Sequence, residues 1–361
     1  MIVDAYRNYL GYFDADHYFS REFTIIFALL SVFTLTVPFI TYFQDLVCHG
    51  KRNSVQEVSC DGGTKWIKQA PEERWFYFYY IPKSCFIHMY VVGSLLGGCC
   101  YYYTIRNIFD SGNGLWFKQK VAVQGVIMFE LHCLRRLWEC LNMTEYGSSS
   151  MNILAYFVGI GHYLLTPTCI MCALLQNDSR AFPRREESVQ IYLRTISISL
   201  FIVGNLCQFK CHRILYFLKL NKSIVRLSEE KSDRRSSNRI TQNKSCQNDD
   251  PDDMNGHDSS FNTNSYIRSC DSSISSKSHG YSFPRGFGFD YVACPHYSSE
   301  ILIYISFWLL APSSSSLICL TIWVACNLSV VADSQYMWYK KVFPEETRKK
   351  RYWKRIFPGL W

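Results

Sequence analysis

The sequence predicts an all-α, multi-pass membrane protein, and three observations carry that prediction. Apolar stretches recur from Phe23 onward, each near the roughly 20 residues that a helix needs to cross a bilayer. Charged connectors separate them, and 38 Lys and Arg against 30 Asp and Glu leave a net charge of +8. A polar tract over 221–280 dilutes the hydrophobic fraction to 48%, so that the average conceals very uneven segments.

Residues 1–22 are polar and carry Asp4, Asp14 and Asp16, unlike a cleavable leader. They are expected to form a lumenal tail, because Lys51 and Arg52 follow the first span, 23–46, which Pro38 can bend. Residues 53–71 read as a polar connector. Trp75 to Tyr80 form an interfacial aromatic belt, and 86–103 a helix that returns across the bilayer. His88 and Tyr90 fall a turn inside that apolar span. For His88 a ligand or catalytic role stands beside that of a satisfied structural histidine.

The third span, 121–141, carries Glu130, His132, Arg135, Arg136 and Glu139. Glu139 is spaced to pair with Arg135 at i+4 or Arg136 at i+3, and so polar a helix should line a bundle interior or end at the interface. The fourth span, 151–175, has Gly159, Gly161 and His162 near its middle and Pro167 beyond; its glycines suit close helix packing. The connector 180–187 carries Arg180, Arg184 and Arg185, which puts positive charge on the lumenal side of this alternation, against the usual bias. In the fifth span, 191–220, Gln208 and His212 are i, i+4 neighbours and Lys219 lies about two turns beyond. That face is a seat for an anionic group or an ordinary cytosolic anchor.

Residues 221–280, rich in Ser, Asn, Asp, Lys and Arg without apolar periodicity, read as a disordered cytosolic loop. Ordered character returns over 281–361, which opens on the stretch FPRGFGFDYVACPHYSSEIL. Pro295 is suited to the first position of a helix, which puts His296 and Glu300 on one face near its start. Two short helices, 301–311 and 317–331, flank Pro312 and the serines at 313–316, so one is tilted, re-entrant or broken. The basic, aromatic tail from Tyr336 should lie along the cytosolic interface. About seven crossings then close consistently.

The 16 cysteines do not form a disulfide framework, because many lie in apolar spans, where they pack as small hydrophobes. Cys169 and Cys172 make a CxxC without a second pair, and no metal site is expected. No GxGxxG follows a predicted strand, and neither GxxxxGK[ST] nor HExxH occurs, which excludes a Rossmann domain, a P-loop engine and a zinc protease. No nucleic-acid partner is expected. What remains is an enzyme that acts on a lipid with a charged cosubstrate, or a noncatalytic lipid carrier.

The stretch PRGFGFDYVACPHYSSEIL resembles the C-terminal hallmark of the steroid 5-alpha-reductase family, closest to its polyprenol (polyprenal) reductase branch. IPKSCFIHMY, LHCLRRLWECL, QFKCHRILYFLK and WYKKVFPEETRKK support it across most of the chain. The resemblance implies a seven-helix protein of the endoplasmic reticulum membrane whose C-terminal half grips NADPH. It implies that Gln208, His212, Lys219, Tyr281, Arg285, His296, Glu300 and Tyr339 bind that cofactor. Just before Tyr339 the chain departs from the family, with Gln335, Tyr336, Met337 and Trp338 in place of a His-Arg-Trp-like approach. Near Phe86 to Tyr90 and His132 to Arg136 it also lacks the glutamate and tyrosine pair with which steroid-reducing relatives hold a ketone.

The implied chemistry is reduction of an alkene conjugated to a carbonyl, in which the oxygen takes up the developing charge. An isolated alkene has no such electron sink, so a long-chain polyprenal in the bilayer is the expected substrate rather than a polyprenol. Its product would be dolichal, on the way to dolichol for protein N-glycosylation. His88, assisted by Tyr90 or His132, is the expected catalytic group at the carbonyl. A 3-oxo-steroid 4-ene is the alternative substrate, and a membrane methyltransferase using S-adenosylmethionine is a further alternative.

Overall fold

The computed structural model describes residues 18–36, 56–60, 63–67, 80–110, 116–144, 146, 149–176, 187–245, 282–350 and 353–358. The chain divides into two compact units, Met1–Ile214 with Arg285–Trp361, and Leu215–Pro284. The helices are α1 (Tyr18–Thr36), α2 (Phe86–Asp110), α3 (Trp116–Asn142), α4 (Ile153–Gln176), α5 (Glu187–Ser245), α6 (Pro295–Leu310), α7 (Ser315–Val342) and the short α8 (Pro344–Lys349). Among the described residues four helical stretches are long and apolar enough to cross a membrane: Lys83–Asn107, Ile153–Leu175, Ser188–Asn221 and Ser315–Val342. The first expected span is helical to Thr36, and its remainder, like the 180–186 part of the arginine-bearing connector, lies outside the described residues. α3 is 27 residues long, but its charged side chains keep it from qualifying on composition. α6 has 16 residues, about 24 Å of helix, short of a bilayer core of roughly 30 Å.

In the first unit α1 packs on α7, where Phe27 stacks on Trp323 at 5.6 Å between ring centroids. α2, α3 and α4 pack against one another, and α6 packs on α7 and α3. Phe129, Phe307, Tyr304 and Ile303 are fully buried where these helices meet. α5 approaches α6 closely at Gly204. A Cβ there would lie 2.8 Å from Ile303 Cγ1 and 3.0 Å from the Ser299 carbonyl oxygen, so a larger residue would push the helices apart. Ser197 Oγ donates to the Ser306 carbonyl at 2.7 Å and tethers the same pair.

Two features correct the all-α expectation. The polar connector contains an antiparallel ribbon, β1 (Gln56–Cys60) with β2 (Gly63–Ile67), and the intervening Asp61-Gly62 is a pair that favours a two-residue hairpin. β3 (Tyr80–Pro82) pairs with β4 (Ser150–Asn152) and ties the start of α2 to that of α4. α5 is also helical to Ser245, so 221–245 is regular where a disordered loop was expected. No proline or glycine interrupts the chain between Gly204 and Ser245, and Glu230 and Arg234 are spaced i, i+4. The rest of the expected loop, 246–280, lies outside the described residues.

The turn before α6 explains its glycines. Gly286 has φ +82° and its N–H donates to Asp290 Oδ1 at 3.2 Å, opening the 3-10 turn Phe287–Asp290. A Cβ on Gly288 would lie 2.5 Å from Pro295 Cβ, so only glycine lets the turn fold onto the helix start. Pro295 occupies the first turn of α6 as its sequence position predicts. α6 stops at Leu310, and Ser314 caps α7, its Oγ accepting from the Leu317 N–H at 3.4 Å. α7 then continues past the expected end at Val331 to Val342.

The first part of the tail from Tyr336 extends α7, and residues 353–356 form a strap on the turn. The Ala293 and Cys294 N–H groups donate to the Lys354 and Arg355 carbonyls at 2.8 and 3.0 Å. Ser298 Oγ donates to the Ile356 carbonyl at 2.6 Å, and Trp353 Nε1 to the Phe289 carbonyl at 2.9 Å. Buried backbone donors ahead of a helix need acceptors, and the strap supplies them.

Candidate active site

His132, Arg135, Arg136 and Glu139 follow the i, i+3, i+4, i+7 spacing that puts them on one face of α3. Asn205, Gln208 and His212 line up likewise on α5. Tyr90 of α2 and His296 and Glu300 of α6 complete the set. All lie in the first unit.

Glu139, 1% exposed, is held by both arginines, Arg135 Nη1 on Oε1 and Arg136 Nη1 on Oε2. His212 Nδ1 lies 2.7 Å from Glu139 Oε2 and equally 2.7 Å from Arg136 Nη1. A guanidinium only donates, so an Nδ1–H satisfies the carboxylate and leaves Arg136 to its other partners. One of these is Tyr90, whose phenolic oxygen accepts from Arg136 Nη2 at 3.0 Å and from Nε at 3.2 Å.

A second branch runs to α6. Asn205 turns its amide nitrogen to the Phe201 carbonyl at 2.8 Å, so its Oδ1 is presented to Arg135 Nε, also at 2.8 Å. Arg135 Nη2 donates to Gln208 Oε1, and Gln208 Nε2 donates to Glu300 Oε2. His132, 1% exposed, has Nδ1 at 3.4 Å from Arg135 Nη2 and Nε2 at 3.4 Å from Glu300 Oε1. Asn205 Oδ1, an acceptor, lies at the same 3.4 Å from His132 Nδ1, so this nitrogen faces one donor and one acceptor while Nε2 faces Glu300. Arg135 and Arg136 set two positive charges against the two carboxylates Glu139 and Glu300.

The structure therefore brings together Tyr90, His132, Gln208, His212, His296 and Glu300. His296 joins through its ring, 5.8 Å from that of His212 and 6.2 Å from Phe289. His88 points elsewhere: it is exposed, and its Nδ1 lies 3.1 Å from Tyr156 OH. Tyr339 is buried against Trp338 and Trp353, at 5.2 and 5.5 Å between centroids. Arg285 is exposed just ahead of the Phe287–Asp290 turn. Lys219 belongs to the second unit, and Tyr281 lies outside the described residues. The spacing of Glu139 with Arg135 and Arg136 was legible, but their place at the centre of the site was not. Asn205 carries its own sequence signal, an asparagine at i−3 from Gln208 in an apolar span.

Residues 261–361 match the family described as 3-oxo-5-alpha-steroid 4-dehydrogenase. Proteins named polyprenal reductase are similar over most of the chain. The one from Caenorhabditis elegans is 22% identical over 292 residues, covering 75% of this chain and 77% of that protein. That from Xenopus tropicalis is 25% identical over 285 residues, 73% of this chain and 71% of its own. That from Danio rerio is 22% identical over 324 residues, 83% of this chain and 82% of its own. The matched region contains the Gly286–Gly288 turn, His296 and Glu300 on α6, and the strap, so the family resemblance and the α6 side of the site coincide.

Proposed function

We propose that this protein reduces the double bond of an α,β-unsaturated polyprenal, with NADPH as the hydride donor, in the endoplasmic reticulum membrane. The product is the corresponding saturated aldehyde, dolichal, on the way to the dolichol used in protein glycosylation. The observation that carries the reading is the arginine-backed phenol of Tyr90. Its oxygen accepts two hydrogen bonds from Arg136, and its own proton would be the one donated to a carbonyl. The buried positive charge behind it favours the negative charge that develops on that oxygen. The names of the similar proteins supply the substrate class.

The donor set fits a nicotinamide dinucleotide. Gln208 and Glu300 form a part-buried pairing of amide and carboxylate, the group types that would meet a carboxamide. Gln208, His212, His296 and Glu300 would hold it, with Arg285, Tyr339, Lys219 and Tyr281 as the further contacts that the family resemblance implies. When bound, it supplies the hydride. His132 faces Glu300 with Nε2 and would stand with Tyr90 at the reacting end of the lipid. The apolar helices leave the rest of a long isoprenoid in a lipid-compatible environment.

The test is purified protein with NADPH and, separately, a polyprenal, a polyprenol and a 3-oxo-4-ene steroid, following cofactor oxidation and lipid product together. Oxidation matched to saturation of the polyprenal alone is expected. Preference for the steroid would make the matched family description the better guide to substrate. Lipid binding without NADPH oxidation would indicate a carrier.

A further inference from the structure

His162 is a partly buried titratable group that the reaction above does not use, and it sits where three helices meet. Its Nε2 lies 2.7 Å from the Tyr304 hydroxyl of α6 and its Nδ1 3.2 Å from Thr166 Oγ1, one turn on along α4. A neutral imidazole has one donor and one acceptor, and this pair of hydroxyls satisfies both. The ring also packs on Trp323 of α7 at 4.7 Å. Tyr304 is 1% exposed and follows Glu300 by one turn, and its carbonyl accepts from Thr321 Oγ1 of α7 at 3.2 Å. His162 thus fixes α4 against the helix that carries Glu300.

The next residue, Tyr163, faces the reacting phenol. Its ring meets that of Tyr90 edge-on at 5.0 Å between centroids. It lies over Gly93, where an added Cβ would be 2.8 Å from Tyr163 Cδ1. Tyr90 is therefore held at two ends, its oxygen by Arg136 and its ring by Tyr163. A turn of α4 about its axis would move Tyr163, and with it the direction of the Tyr90 hydroxyl.

We propose that His162, through its bond to Tyr304, is a positioning residue that sets Tyr163 and so aims the Tyr90 hydroxyl at the carbonyl of an enal. The inference rests on the assignment of Tyr90 as the carbonyl's donor. Geometry at a reacting centre is sensitive to displacements of an ångström, so loss of the bond should lower kcat/KM about tenfold.

The test uses the full-length protein in detergent with farnesal, a short α,β-unsaturated prenal, labelled with 13C at the carbonyl. The variants are His162→Phe, His162→Gln, Tyr304→Phe and the double variant His162→Phe with Tyr304→Phe. Turnover and the infrared carbonyl band of the bound aldehyde are both read. In wild-type protein the band should lie below its value in detergent, and His162→Gln, which can restore a bond to Tyr304, should keep it there. His162→Phe and Tyr304→Phe should each return it toward the detergent value and lower kcat/KM, and the double variant should lose no more than either alone. An unshifted band in wild-type protein, one band position in all variants, or losses that multiply would overturn the inference. If the band pattern holds but wild-type protein oxidises no NADPH, the positioning stands and the reductase reading falls. Should His162→Phe not fold, Tyr304→Phe, which removes one buried oxygen, decides by the same two readouts.

Discussion

Tyr90 and His88 are two residues apart on α2, yet they meet different partners. Tyr90 is bonded to Arg136 inside the ion-paired cluster, whereas His88 is exposed beside Tyr156. Substituting Tyr90 by Phe removes the hydroxyl proposed to donate to the carbonyl, and a loss in kcat of about 10²-fold is expected in polyprenal turnover. His88→Ala should cost markedly less in the same assay; equal losses would return the carbonyl role to His88. On the α6 side, Glu300→Gln removes the negative charge that faces both His132 and Gln208. Charged hydrogen bonds contribute more than neutral ones, so the NADPH concentration for half-maximal rate should rise about tenfold or more, and an unchanged requirement would remove Glu300 from the cofactor side.

At the scale of elements, the turn, α6 and the strap behave as one piece. Gly288→Val would drive a branched side chain into Pro295, and overpacking of that kind costs about 1–3 kcal/mol. A lower thermal midpoint in detergent, with activity lost together with the fold, is the expected result. The strap also carries a pH dependence. Partial burial acts to raise the pKa of Asp290, but the Gly286 N–H and Lys350 outweigh it and hold the carboxyl below its usual value. A depressed folded-state pKa contributes stability that is present above the unfolded pKa, about 3.9, and is lost as pH falls through the lower folded value. Protease cleavage after the basic residues of the tail should therefore quicken below about pH 4 in wild-type protein. In Asp290→Asn it should already be faster near neutral pH and less dependent on acid; an identical acid response would dissociate Asp290 from the strap.

At the scale of the whole molecule, the apolar helices and the charged cluster have to be read together. Among the described residues four helices are apolar enough for lipid, while Arg135, Arg136, Glu139, His212 and Glu300 turn inward between α2, α3, α5 and α6. Burial of a balanced set of charges is tolerated only where each has its partner, so removal of one should be felt beyond its own contact. Glu139→Ala leaves Arg135 and Arg136 without their shared carboxylate, and a loss of about 3–5 kcal/mol is expected, seen as reduced yield of folded protein from membranes. A variant as stable as wild type would show that water reaches these arginines.

The sequence alone determined the membrane class, the position of α6 behind Pro295, the α3 pairing of Glu139 with Arg135 and Arg136, and the i, i+4 pairs on α5 and α6. Each follows from composition or from spacing along one helix, which periodicity exposes directly. Only the tertiary structure decided that Tyr90 rather than His88 joins Arg136, that Asn205 and Gln208 bridge α3 to α6, and that the C-terminal strap folds back onto the turn. Those choices depend on how helices distant in sequence rotate against one another, and nothing local to a single segment encodes that rotation.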